Sequence, residues 1–431
     1  MRLIAFISIV PVSLVLAAGT AAARPRYGGT LRLELRAIVR NLDPADVAID
    51  PLEGAAKANV LSQVFETLVR LDEKGRPQPL LAENWTHDAE HRRWIFRARQ
   101  HVTFHNGAPW SPAGSELYYP DDRPIEQILR DLALLKNAIV LRLNDGAIYG
   151  TGPFNVLRFE PDKSIVLAAH EQHWAGRPYI DAIEIRMGRA FRDQAQDAQL
   201  GQADVTELPA TEVRRARQRG DAVALSLPLE TLALLFDRAR EAPPAVREAL
   251  ALAVDRASIQ DVLLQKLGEA SAALLPQWLS GHALAFTAER NVARARHLNP
   301  GAIVLRFSYD RQDPVLRGVA ERIALNAAEC AIALRADAAA PAVRLAWLRI
   351  IQPDPDLALN EIAATLGIAL APAPDPFERE SALLDRYYVV PVAQLGVAHA
   401  LSPRAQGWLG APWVASDRWD LANVWLGEAA P

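Results

Sequence analysis

The chain has 431 residues, 50% of them hydrophobic and 23% charged, with a formal net charge of −4. That length exceeds one ordinary domain, and that balance excludes a disordered or fibrous chain as well as a nucleic-acid or anionic-lipid partner held by bulk positive charge. Thirty prolines and 23 glycines point to many loops.

Arg2, the apolar run over 3–18 and Ala21-Ala22-Ala23 have the order of a cleavable export signal, which predicts a mature start at Arg24. Pro11 interrupts the run, so it reads as a leader rather than an anchor. Without a cysteine after Leu16-Ala17-Ala18-Gly19 no lipid attachment is expected, and the predicted location is the periplasm of a Gram-negative-type envelope. Loss of Arg2 takes the charge from −4 to −5. Cys330 stands alone, so packing and not an internal disulfide must stabilise the fold.

Beyond Tyr27, Leu31, Leu33 and Leu35 alternate with Arg32, Glu34 and Arg36, the period of a half-buried strand. Over 55–70 the apolar spacing becomes three and four through Val60, Leu61, Val64, Phe65 and Leu68, which predicts an amphipathic helix before a turn at 72–75. Trp94 and Phe96 predict a strand, His105-Asn106-Gly107 a turn, and 124–136 a helix. Strands follow at 183–187 and 303–309, separated by a helix from Ala245 to about Lys266 that Pro243-Pro244 opens. The Ala/Pro-rich stretches at 338–341 and 369–376 read as loops. Mixed strands and helices without a solenoid repeat define the class as α/β.

Catalytic spacings are missing: the sequence holds no Gly-x-Ser-x-Gly, no His-Glu-x-x-His and no phosphate loop ending in Gly-Lys-Ser/Thr. Gly150-Thr151-Gly152-Pro153 reads as a structural turn, because Pro153 removes a donor and no lysine follows. His101 with His105, and His170 with His173, lack an evident third ligand and read as polar or turn residues, so no metal or cofactor is expected. The basic run 214–219 reads as a solvated helix face. Ten tryptophans provide flat surfaces of the kind that binding clefts use.

In order along the chain, Gly28-Gly29-Thr30-Leu31, Asn41-Leu42-Asp43-Pro44, Val64-Phe65-Glu66-Thr67-Leu68-Val69, Pro79-Leu80-Leu81-Ala82-Glu83-Asn84-Trp85 and 102–109 resemble segments of the bacterial extracellular solute-binding proteins of family 5. The resemblance continues through Gly150-Thr151-Gly152-Pro153-Phe154, 173–181, Gly201-Gln202-Ala203-Asp204, 246–256, Pro353-Asp354-Pro355 and Val390-Pro391-Val392. Each motif is short, and their collinearity carries the likeness.

The resemblance implies a two-lobed periplasmic-binding-protein fold, type II-like, with mixed sheets flanked by helices and two hinge crossings, near Phe236-Asp237 and Leu401-Ser402. The first lobe is expected from 24–52, 150–237 and 403–431, a reduced accessory domain from 53–149, and the second lobe from 238–402. It further implies a non-enzymatic binder that carries peptides or peptide-like solutes to an ABC importer permease with a separate ATPase subunit, itself a monomer. The alternatives are a sensing or interaction paralogue without a transport ligand, or a binder of a metal chelate or oligosaccharide. Alignment with the family's cleft selects Glu53, Gly54, Ala55, Trp347, Arg349 and Gln352 as ligand-binding residues, with Glu53 suited to an amine and Arg349 to a carboxylate. Ile351 stands where relatives carry an amine-binding aspartate, and an aliphatic side chain cannot take over that role.

Overall fold

The structure, a computed structural model, describes residues 24–427 except 47–49, 73, 241, 288, 300, 338, 372, 374 and 409–418; the expected leader at 1–23 lies outside the described residues. Among them no helix is long and apolar enough to cross a membrane.

Strand β1 (Thr30–Glu34) forms where the alternation predicts. Glu34 is nonetheless buried, because β1 is an internal strand covered on both faces; Arg186 compensates it at 2.6 Å, and burial pushes its carboxyl up to about 7. Helix α1 (Pro51–Val64) begins earlier than its apolar spacing indicates. Asp50 caps it by accepting from Leu52 N (2.9 Å) and Glu53 N (3.0 Å), and Pro51 suits the first helical position. The turn of Gly150 to Pro153 crosses the far end of α1, where Gly152 N donates to Val64 O at 3.0 Å. A Cβ on Gly150 would stand 2.0 Å from that carbonyl, so the glycines permit backbone contact rather than phosphate binding.

A satellite unit follows. It contains the hairpin β2 (Val69–Leu71) and β3 (Pro77–Pro79), the three-stranded meander β4 (Ala82–Asp88), β5 (Arg93–Ala98) and β6 (Glu116–Pro120), and α2 (Ile125–Leu132). Its core holds Leu68, Leu81, Phe96, Val102, Ile128 and Leu129, whereas α1 packs through Ala56, Val60, Leu61 and Val64 into the core of β1.

The rest builds one large sheet. Its main strands are β7 (Phe154–Glu160), β8 (Ser164–Ala169), β9 (Ala182–Arg186), β10 (Val205–Leu208), β11 (Ala222–Phe236), β12 (Ile303–Ser308), β13 (Ile332–Ala336), β14 (Val343–Arg349) and β15 (Val389–Leu401), together with β1, and the short strand Glu269–Ala270 pairs with β15. They run in the order β13-β12-β14-β11-β15-β10-β1-β9-β8-β7. Helices α3 (Phe191–Gln199), α4 (Ala210–Arg219), α5 (Pro244–Ala253), α6 (Pro314–Ala328), α7 (Pro355–Thr365) and α8 (Pro376–Leu384) complete the two lobes. The helix expected to continue to Lys266 breaks at Val254, which is extended, and Asp255 caps a new helical turn by accepting from Ser258 N at 3.0 Å.

Among the described residues only β11 and β15 belong to both halves. Val205 and Thr206 of the first lobe pair with Leu401 and Ala400 of β15, while Leu232 to Phe236 of β11 pair with β14 of the second. The residues expected as crossings, Phe236 and Leu401, are the last of their strands. Pairing between β11 and β15 is irregular near Pro228, opposite Gly396.

Candidate functional site

Two zones of different character lie between the lobes. In the first, Arg36 leaves the end of β1 and its Nη1 reaches Asp313 Oδ2 of the second lobe at 2.8 Å. Asp313 caps α6, its Oδ1 accepting from Val315 N (2.8 Å) and Leu316 N (3.2 Å), so Oδ2 remains for Arg36 and for Trp347 Nε1 at 3.0 Å. Glu207 and Glu230 complete the group: Glu207 faces the Arg36 guanidinium at 3.8 Å, and Arg349 Nη1 lies 3.3 Å from Glu230 Oε1. Burial raises the pKa of Glu230 against the pull of Arg349 and Arg36. The space left is ≈ 40 Å³.

The second zone is a cavity of ≈ 630 Å³ walled by two helices. Gly54, Lys57, Ala58 and Leu61 of α1 form one wall, and Leu357, Asn360, Glu361 and Ala364 of α7 form the other. Both sets follow the spacing i, i+3, i+4, i+7, which places each on a single helix face. The end of β14 and the segment beyond it, with Leu348, Arg349, Ile351 and Gln352, close one side, and Leu134, Leu135 and Lys136 close another. Lys57 Nζ donates to Asn41 Oδ1 (2.6 Å) and Asp46 O (2.8 Å), and burial lowers its pKa. Burial pushes Glu361 up to about 7 against the pull of the Gln352 amide and the Ile351 N–H. Clasps outside the cavity also join the halves: Arg130 Nε of α2 lies 3.0 Å from Asp354 Oδ2 at the cap of α7, and Gly75 packs against Pro353.

Of the residues selected from sequence, Gly54 and Gln352 line the large cavity, Trp347 lines the small zone, and Arg349 lines both. Ala55 is buried within α1. Glu53 turns its carboxylate to Arg40, accepting from the backbone N at 3.3 Å and from the guanidinium. Lys57, Asn360 and Glu361 escaped sequence reasoning, as did Arg36, Glu207, Glu230 and Asp313. A signal for the α7 pair was present in Asp354-Pro355, a cap followed by proline, because a helix starting there sets Leu357, Asn360, Glu361 and Ala364 on one face.

The histidines lie elsewhere. His105 takes Gly150 N on Nδ1 (3.3 Å) and gives Nε2–H to Gly152 O (3.0 Å), while His170 Nδ1 also meets Gly152 O at 3.1 Å. His173 faces Glu66 at 3.3 Å, a carboxylate that also accepts from Thr151 and Trp174. These bonds fasten the Gly150 turn, and among the described residues no group of three or more His, Cys, Asp or Glu side chains could hold a metal ion. Among the described residues that line the large cavity there is no Ser, Cys or His, and so none of the usual nucleophile–base pairs.

Two mixed lobes on a shared sheet, crossed by β11 and β15 with a cavity between them, define the two-lobed periplasmic-binding-protein fold. Residues 136–300 match the family model described as "Bacterial extracellular solute-binding proteins, family 5 Middle", which bears out the resemblance read from the sequence. The nickel-binding periplasmic protein of Escherichia coli is 27% identical over 251 residues, 46% of this chain and 48% of that protein. The chain thus spans about half the length of that curated relative, and less of the next two, 31% and 28%. Among solved structures, the DppA periplasmic binding protein of Helicobacter pylori with the peptide STSA superposes with a TM-score of 0.74 at 17% identity, covering 94% of this chain and 99% of that one. NikA of Staphylococcus aureus with Ni(L-His)2 also gives 0.74, at 15% identity over 90% of this chain and 99% of that one. At these identities the superpositions speak for the fold.

Proposed function

We propose that this chain is the solute-binding component of an ABC importer, a binding protein and not an enzyme, which captures a peptide or peptide-like solute between its lobes in the periplasm and hands it to a membrane permease. The observation that carries this reading is the ≈ 630 Å³ cavity between α1 and α7, walled by one helix from each lobe. Its size falls within the range of small-molecule sites, and its walls combine aliphatic surface with a few polar groups. Among the described residues β11 and β15 carry the chain between the lobes, so bending near Pro228 and Gly396 opens the cavity and closure seals it. The family-5 match over the middle of the chain supports the importer role.

The test begins with protein recovered by osmotic release of the periplasm. Intact mass should correspond to a start at Arg24, and denaturation should release a stoichiometric small solute that mass spectrometry identifies. Readdition should compact the protein in small-angle scattering, because closure requires a ligand that favours the closed state. A protein that releases nothing and whose radius of gyration ignores a bound solute is not a receptor of this kind.

A further inference from the structure

Glu361 differs from the other charged groups around the large cavity. These are Asp46, Lys57, Asp131, Lys136 and Arg349, three cations and two anions. Lys57 is held by Asn41 and by the Asp46 carbonyl, Asp131 by Arg123, and Arg349 by Glu230, while Asp46 and Lys136 are exposed to water. Glu361 completes the balance at three of each sign, yet its Oε2 is shut off from solvent without a hydrogen-bond partner. A carboxylate so placed either keeps a proton or meets a cationic donor, since burying an unpaired charge is costly. It stands on the helix face that walls the cavity, beside Gln352 and Ile351.

We propose that Glu361 reads the cationic end of the solute, and that the cavity therefore takes a small amine-bearing solute, a short peptide or amino-acid derivative with a free amine. The assignment rests on the solute-binding reading of the cleft. It changes the consequence of Ile351: the acid lost from the segment after β14 is supplied from α7, ten residues further on. Without solute the carboxyl holds a proton near neutrality, and an arriving ammonium displaces it, because the ion pair favours the ionised form. The ammonium keeps its own proton, and the one released from Glu361 passes to solvent. Affinity for a solute with a free α-amine then rises with pH toward about 7 and falls again as that amine, with a pKa of about 8, loses its proton.

Trialanine, N-acetyl-trialanine and trialanine amide serve as probes for calorimetry on the mature protein, at a pH about two units below that value and at a pH about half a unit above it, where an α-amine with a pKa of about 8 is still mostly charged, in buffers of different ionisation enthalpy. Trialanine should bind roughly ten- to a hundredfold more tightly at the higher pH, with net proton release near neutrality. Acetylation or Glu361→Gln should each remove that advantage, and the two losses should not add. Glutamine imitates the protonated acid, so the variant should melt like wild type in acid; a variant that does so yet binds trialanine as wild type does overturns the assignment. So does equal binding of the acetylated probe, or proton release that survives Glu361→Gln. If none of the three probes binds, the free-amine peptide assignment is wrong, while the receptor reading is judged separately by the solute released on denaturation.

Discussion

At the Arg36–Asp313 end of the interlobe space the lobes touch through charged groups and leave ≈ 40 Å³, whereas at the α1–α7 end they stand apart around ≈ 630 Å³. The contrast separates two tasks that one cleft must combine. The small zone joins the lobes to each other: Asp313 uses both carboxylate oxygens, one for the cap of its own helix and one for Arg36 and Trp347. The large zone leaves polar groups for something else, and Glu361 Oε2 is the clearest of them. Arg349 borders both, and its bond to Glu230 joins directly opposed residues of the neighbouring strands β11 and β14.

The sharpest way to break this division is Asp313→Asn. The amide retains an oxygen for capping but brings a donor to face Arg36 and Trp347, so a buried guanidinium loses a charged partner. The expected cost is about 3–5 kcal/mol of closed-state stability. Scattering should show a more open molecule, and the melting temperature should fall. An unchanged radius of gyration would mean that the lobes are held together elsewhere.

Trp347→Phe comes next. It retains a ring but removes the indole donor to Asp313, a bond to a charged acceptor worth about 1.5–3 kcal/mol. The small-zone assignment requires that melting respond while solute affinity changes mainly through closure. A loss of affinity with melting unchanged would make Trp347 a solute platform, as the sequence alone led one to expect. Smaller again is Gly75→Ala, at the clasp between satellite and second lobe. Gly75 has φ +71°, and a Cβ there would lie 2.5 Å from Pro353 O, so the left-handed strain of about 1–2 kcal/mol is joined by a steric push on the closed form. Faster proteolysis of the hairpin β2–β3 should accompany it; wild-type resistance would show that the clasp adapts.

How much of this was legible follows from what fixes each feature. The Leu31, Leu33, Leu35 alternation and the Ile303, Leu305, Phe307 alternation located two strands, because period two on one buried face is a local property. The burial of Glu34 was hidden, since it depends on β9 and β10 flanking β1. The break at Val254 was hidden because the same apolar stripe suits one helix or two, and the cap on Asp255 decides. Family order led to Gly54 and Gln352 on the cavity wall, but it could not tell that Glu53, one residue earlier on α1, turns toward Arg40. Helical rotation separates neighbours by about 100°, so an alignment correct in register can still select the wrong face. Glu361 lay beyond the aligned motif and became visible only when α7 set it opposite α1.

The smallest effect is expected from Glu53→Gln, and it is the most informative about the cavity's edge. The Glu53 carboxylate accepts from the Arg40 backbone and guanidinium, and Arg40 is itself largely exposed, with 56% of its side chain open to solvent. A pair so open to water contributes about 0–1 kcal/mol to stability. Glutamine can keep one of the two bonds, and Glu53 also sits in the first turn of α1, where losing a negative charge costs about 0.3–1 kcal/mol through the helix dipole. Melting should therefore shift slightly, and trialanine affinity by less than about threefold, which is under about 0.7 kcal/mol. The reason is geometric: an amine entering the cavity meets the face of Gly54, Lys57, Ala58 and Leu61, and Glu53 would have to release Arg40 before it could reach the solute. If Glu53→Gln weakens trialanine tenfold or more while Glu361→Gln leaves it untouched, Arg40 is the partner that yields, the solute's amine lies at the N-terminal end of α1, and the division of labour between the two helices is the reverse of the one drawn from the cavity.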